Sequence, residues 1–394
     1  MSRFPFLMTA RMFRIELRAC YIPYFIFLNA IRSPPPIYID ITMLKNLLLP
    51  TSLVAAFCVC WSMTTRAQDI HWTQFYNSPM WLDPSLTGPS DADLRVAAQY
   101  RTQWGSVTVP YNTMALMSDY SLKVGANSDD QVGIGFSLMN DEAGDGHLRN
   151  TQAHISCAYH KSLGADATSS ISFGVQAGVI QRSVDFSKLY FDNQYTGDGF
   201  DLNASSRESF DRLNYIVPDV SAGLSYFNAS ADNFDYYIGG SLFHLNEPNM
   251  SFTKEVTEPL YRRVNLYGGM DFYINESFSI GPRAVYFAQG PHSEFNIGAV
   301  ARFSFGSNPF DDNPNAFSIG ATYRAADAGV LMTRFDYGPI ALGLSYDVNA
   351  SKLVRVSTYQ GGPEIYIIYK ASWTDRSNNG RDYRRSRSAH CPTF

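Results

Sequence analysis

The chain has 394 residues, with 31 basic and 36 acidic side chains, a net charge of −5 at neutral pH, and 14% aromatic residues that include 25 Tyr and 27 Phe. Aromatics are plentiful for a water-soluble globule and charge, at 17%, is scarce, so the expected class is a β-rich chain with one face against a nonaqueous medium. An acidic balance argues against nucleic acid as a partner, because affinity for phosphates needs a basic footprint.

Residues 1–42 precede a later methionine, Met43. Their apolar piece from Ala19 to Ile31 is too short to span a bilayer and contains Pro23. The preferred reading is a start-site misassignment, with translation beginning at Met43; an extended leader is the competing one. Residues 43–67 read as a Sec signal peptide: Lys45, an apolar run from Leu47 to Trp61, then Thr65-Arg66-Ala67, with small residues at the two positions a signal peptidase inspects and cleavage before Gln68. A transmembrane helix is disfavoured because the run is short and interrupted by Pro50. A lipoprotein signal is disfavoured because Phe57 and Val59 stand where small residues are wanted.

Removing the seven basic and two acidic residues before Gln68 from the totals of 31 and 36 leaves a net charge of −10. It also leaves only Cys157 and Cys391, too few and too far apart for a disulfide scaffold or a metal site. One disulfide between them is conceivable, but Cys157 falls on the apolar face of a strand. No cofactor is expected.

The next stretch, QDIHWTQFYNSPMWLDPSLTG from Gln68 to Gly88, is crowded with aromatics and has neither helical nor strand periodicity. Residues 68–94 are expected to lie on the periplasmic side or to fold into a barrel mouth as an irregular plug. There Trp72, Phe75, Tyr76 and Trp81 would be anchors, with Pro79 and Pro84 fixing the turns.

From Leu94 on, segments of about ten residues alternate apolar with small or polar side chains. In QVGIGFSLMN, Val132, Ile134, Phe136 and Leu138 face one way and Gly133, Gly135 and Ser137 the other; ISFGVQAGVI, FNIGAVARFSF and PIALGLSYD repeat the pattern. A soluble sandwich shows such alternation too. Three features favour a membrane barrel: segment lengths near the nine to eleven residues of a tilted membrane strand, Tyr100, Tyr120, Tyr159, Tyr226, Tyr286, Tyr323, Tyr346 and Tyr369 near segment ends, and a signal without a helical span. The fold class is therefore all-β, an antiparallel transmembrane β-barrel of about fourteen strands over residues 95–371, with Val184 to Phe191 as one further strand candidate. The small residues of the second face either make room for a peptide or plug or relieve crowding, the simpler reading. Residues 181–211 look like an extracellular loop, and 372–394 form a periplasmic basic tail in which Arg376, Arg381, Arg384, Arg385 and Arg387 are either a dock for an acidic partner or solvated residues.

Several stretches together resemble the PorP/SprF family of outer-membrane proteins of the type IX secretion system. They are Gln68 and Asp69, then Gln74, Phe75, Tyr76, Asn77, Pro79, Leu82, Pro84 and Gly88; YRTQW with Tyr100, Arg101, Gln103 and Trp104; and FHLNEPN with His244, Asn246 and Pro248. QGPHSEFNIGA, LSYDVNASKL, GGPEIYIIYK and the terminal CPTF add to these. The pattern departs from the family at Asp83, where Asn is common, and in the basic stretch DRSNNGRDYRRSRSAH. The resemblance implies a non-enzymatic barrel in the outer membrane of a Gram-negative bacterium. It would be seated in outer-membrane lipid and would support export or surface attachment of cargo such as adhesins through periplasmic type IX components, a peptidoglycan-binding protein among the candidates. The motif residues would then be plug or partner contacts. The rival reading is an outer-membrane transporter of small hydrophobic ligands resembling fatty-acid channels. An enzyme is disfavoured: His154 and His160, beside Ser156 on one strand, lie about 20 Å apart, too far for one site.

Overall fold

A computed structural model of the chain describes residues 69–373 apart from 89–91, 107–108, 125–128, 165–167, 202, 209, 230–233, 276, 306–314 and 352–353. Alternation becomes fourteen antiparallel strands: β1 (Leu94–Gln103), β2 (Tyr111–Lys123), β3 (Gln131–Ala143), β4 (Leu148–Leu163), β5 (Ser169–Ser183), β6 (Asn214–Asn228), β7 (Phe234–Phe243), β8 (Arg263–Asn275), β9 (Phe278–Gln289), β10 (His292–Ser304), β11 (Ala316–Arg324), β12 (Ala328–Tyr337), β13 (Ile340–Asn349) and β14 (Gln360–Ala371). Each pairs with its neighbours in sequence, and β1 closes the barrel on β14 with Leu94 opposite Ala371. Closure leaves no open sheet edge for lipid to meet, which is what a β-structure in a bilayer requires. Val184 to Phe191 is not a strand; it holds a single 3₁₀ turn, Phe186–Lys188, in the long connection after β5.

The two faces differ as the period of two demands. Outward side chains such as Ile155, Phe173, Ile238, Leu331 and Leu344 are more than half exposed, a surface costly in water and suited to lipid. Inward ones are polar and buried, among them Gln99, Arg101, His154, Ser156, Asp219, Asp347 and Glu364. Cys157 is exposed on the outward face of β4 as a free thiol, and Cys391 lies outside the described residues.

One end of the barrel carries the start of β1 and the finish of β14; it is called here the terminal end, and the opposite one the loop end. Tyr120, Tyr159, Tyr226 and Tyr369 belong to the terminal end, and Tyr100, Tyr286, Tyr323 and Tyr346 to the loop end, giving two girdles. The longest connections, 184–213 and 244–262, are both at the loop end.

β6 runs past β7, pairing with it only over Ala222–Asn228. Beyond that, Asn246 serves in place of strand: its Nδ2 donates to the Pro218 carbonyl at 2.7 Å, and its Oδ1 accepts from the Val220 N–H at 3.2 Å. Leu245 N–H also donates to the Val220 carbonyl. Pro218, which cannot donate to a ladder, sits in this stretch of β6 that has no β7 partner. Pro248 holds the connection closed by accepting from Leu260 N–H at 2.9 Å.

Candidate functional site

The segment from Asp69 to Gly88 runs along the lumen. It starts at the loop end, where Asp69 N–H donates to Gln289 at 2.7 Å, and finishes at the terminal end, where Gly88 N–H donates to Asp119 at 2.6 Å. It lies neither beneath the barrel nor only in its mouth. Three short turns shape it: 3₁₀ at Phe75–Asn77, one α-helical turn, α1, at Pro79–Leu82, and 3₁₀ at Pro84–Leu86. Pro79 and Pro84 each occupy a first helical position, where a missing N–H costs nothing.

So short a helix leaves many backbone groups without internal partners, and inside the lumen water cannot supply them. Wall side chains do. Thr73 and Gln74 N–H groups donate to the two oxygens of Glu364 at 2.8 and 3.0 Å. The Leu82 carbonyl accepts from Ser241 and Asn265, both at 2.7 Å, and the Trp81 carbonyl from Arg263 at 3.1 Å. The Thr87 carbonyl accepts from His160 at 2.8 Å.

The aromatics fill the remaining space. Trp72, Phe75, Tyr76 and Trp81 are all buried. Phe75 packs edge-on against Tyr76 and Phe287, Trp81 meets His154 with centroids 5.4 Å apart, and the Arg283 guanidinium stands 4.6 Å above the Tyr76 ring. Asn77 accepts from Arg334 at 3.1 Å and donates to Gln74 at 3.1 Å. His154 and His160 have separate partners, Asp219 for the first and Ser172 with Thr87 for the second, and so form no common site.

Small inward residues are in part the imprint of this segment. A Cβ at Gly133 would fall 1.9 Å from the Thr87 carbonyl oxygen, and one at Gly223 would fall 1.9 Å from Asp83 Oδ1. Crowding relief, the simpler reading, holds instead at Gly239 and Gly343, where the neighbours are the lumenal rings of Tyr267 and Tyr366.

Two charged groups of wall residues grip the loop end. In one, Asp69 Oδ2 meets His244 Nε2 at 2.5 Å, His244 Nδ1 meets Asp219 Oδ1 at 2.8 Å, and Asp219 Oδ2 meets His154 Nε2 at 3.1 Å. In the other, Arg101 pairs with Asp347 at 2.7 Å, lies 3.9 Å from Glu364 and donates to the His71 carbonyl, while Thr73 and Arg324 also reach Asp347. YRTQW is thus divided. Arg101 is fully buried against the segment, whereas Tyr100 is exposed and bonded to Asn112, Gln103 is half-buried, and Trp104 is exposed beside Tyr111. Sequence reasoning passed over Asp219, Asp347 and Glu364; the last two sit inside SYDVN and GGPEIYIIYK, polar residues within otherwise alternating strands. The Arg376 to Arg387 cluster lies outside the described residues.

Burial alone would push the His244 imidazole down, but the carboxylates of Asp69 and Asp219 outweigh it and raise it to about 9. Burial pushes Asp69 up, and the His244 and Arg263 charges outweigh that, leaving the carboxyl below its usual value. Asp83 has no cation to offset burial; hydrogen bonds from Ser85 and Tyr267 only moderate it, and its carboxyl is pushed up to about 7.

Type IX secretion system membrane protein PorP/SprF is the family whose model matches residues 64–369. The chain belongs to that family. No curated protein matches it. Among solved structures, the PorP/SprF chain is similar to the Ralstonia pickettii toluene transporter TbuX, at 11% identity over 78% of this chain and 96% of that one, with a TM-score of 0.44. It is also similar to the CymD monoaromatic hydrocarbon channel, at 11% identity over 75% and 93% with a TM-score of 0.43. A Pseudomonas aeruginosa FadL homologue matches at 9% identity over 70% and 89%, with a TM-score of 0.35.

Gly133→Val should unseat the terminal end of the segment while leaving the barrel intact, at a cost of about 1–3 kcal/mol. Gly329→Ala, where a Cβ meets nothing within 4 Å, should be neutral. Limited proteolysis near Thr87, with circular dichroism of the strands, checks both.

The pKa shifts give pH a sign. A raised His244 stabilises the seat fully below about 6.5 and loses that contribution as pH climbs through about 9. Tryptophan emission from Trp72 and Trp81 should therefore shift to the red between pH 8 and 10, and His244→Asn should remove the transition. Asp83 acts in the same direction over a lower range, weakening the seat as pH rises from about 4 to about 7. Asp83→Asn should abolish that dependence and stabilise the seat at pH 8 by on the order of a few kcal/mol, read from the urea midpoint.

Proposed function

We propose that this chain is a non-enzymatic outer-membrane component of the type IX secretion system, and that it supports export or surface attachment of cargo such as adhesins by docking partners while its lumen stays closed. The family membership supplies the system. The single structural observation that supports a closed docking component is the seated segment: Met80, Asp83, Ser85 and Thr87 have no solvent exposure. Two cavities that border the segment among the described residues, of about 40 and 10 Å³, hold at most a few waters.

Orientation follows from connection length. Outer-membrane barrels keep short turns on the periplasmic side and long loops outside, so the loop end is assigned to the exterior and the terminal end to the periplasm. Residues 372–394 then emerge into the periplasm, where their arginines, Arg381, Arg384, Arg385 and Arg387 among them, are suited to an acidic face of a periplasmic type IX component or a peptidoglycan-binding protein.

Deleting the gene should remove one or more surface proteins from the cell exterior and leave uptake of hydrophobic nutrients unchanged. Normal export with reduced uptake would establish the transporter reading instead. Truncation at Ala371 should leave the barrel folded and abolish co-purification of periplasmic partners; an unchanged set of co-purified proteins would remove the tail from the account.

A further inference from the structure

The direction of the plug carries a consequence for maturation. Its upstream end, Asp69, is bound at the loop end of the barrel, while β1, into which it leads, starts at the terminal end. A chain still joined to a leader held on the periplasmic side would have to travel up the lumen to Asp69 and then down again to Gly88. That is two passes of backbone side by side.

The lumen has room for one. Plug side chains from Met80 to Thr87 are pressed against the wall, the Gly133 and Gly223 positions leave no space for even a Cβ, and two cavities that border the plug among the described residues, of about 40 and 10 Å³, cannot take a polypeptide. A second pass would also need partners for its own N–H and C=O groups, and the wall residues that would answer them, Glu364, Asn265, Ser241 and His160, are already engaged by the first. Sending the leader out through the loop end instead would place the run from Leu47 to Trp61 in water on the far side of the membrane.

We infer that removal of the leader is the step that permits the plug to seat: Asp69 to Gly88 enters the lumen only with a free upstream end, and an uncleaved chain forms its barrel with the lumen unplugged. Hydrolysis of the Ala67–Gln68 peptide bond by a signal peptidase consumes one water and leaves a carboxylate on Ala67 and an ammonium on Gln68. Nothing in the barrel strands takes part. The inference rests on the leader expected from the sequence and on the orientation proposed above. It couples processing, done at the inner membrane, to closure of a pore in the outer one, so that the segment's many buried polar contacts form only in processed molecules.

The test compares the full chain purified from native membranes with a variant whose processing is blocked by Thr65→Phe and Ala67→Phe, using amide hydrogen exchange read by mass spectrometry. Strand amides should be equally protected in both, and amides of residues 69–88 should exchange at least about 100-fold faster in the uncleaved chain. Equal protection of 69–88 in molecules whose mass shows the leader still attached would overturn the inference. If the variant does not assemble, pulse-labelled wild-type chain sampled before and after processing carries the same comparison by added protease: the plug should resist only in processed molecules, and a resistant unprocessed form overturns the inference. An intact mass showing that mature wild-type chain retains residues before Gln68 would remove the leader reading itself and the inference with it.

Discussion

A backbone without its own ladder must have its N–H and C=O groups answered by its short turns and, beyond what those satisfy, by the barrel wall. The rest of this structure follows from that. The inward face of the strands carries Glu364, Asn265, Ser241, His160 and Asp119 because those side chains terminate hydrogen bonds from the plug's main chain. The outward face carries Leu, Ile, Phe and Val because it meets lipid. A period of two is the simplest pattern that satisfies both.

Charge inside the lumen obeys the same rule at higher stakes. Arg101, with no solvent exposure, is divided among Asp347, Glu364 and the His71 carbonyl, and Arg95 clasps Asp119 through two nitrogens at 2.9 and 2.6 Å. Removing one partner from such a set would leave a buried charge unanswered, which costs far more than the pair contributes. Asp83 is the informative exception. Burial holds its carboxyl at about 7, so near neutral pH it is in part an uncharged group.

Most of the architecture was legible in the sequence, for physical reasons. The alternation of QVGIGFSLMN and its counterparts is imposed by lipid on one side, and such a constraint is written into every strand. Tyrosines near strand ends mark the two interfaces in the same way. The candidate site was legible only by half. The aromatic run from Trp72 to Trp81 announced an unusual segment, but its direction through the lumen is set by pairings 175 to 291 residues apart in sequence, Asp69 with His244 and Thr73 with Glu364, which no local pattern encodes. The extra strand read at Val184 to Phe191 failed for a related reason: its apolar residues serve an aromatic cluster of the long connection, with Phe186 stacked on Phe210 at 3.5 Å, not a lipid face. Polar residues embedded in alternating strands, Asp347 in SYDVN and Glu364 in GGPEIYIIYK, were the available signal for the grip on the plug, since a lipid-facing wall alone does not call for them.

The central claim is that the segment from Asp69 to Gly88 closes the barrel. Single-channel recording of the purified chain in a planar bilayer tests it most directly, with the same chain lacking residues 69–88 as comparison. The account predicts no steady ion conductance for the complete chain and a stable open pore once the segment is removed; a complete chain that conducts as freely as the truncated one would contradict it.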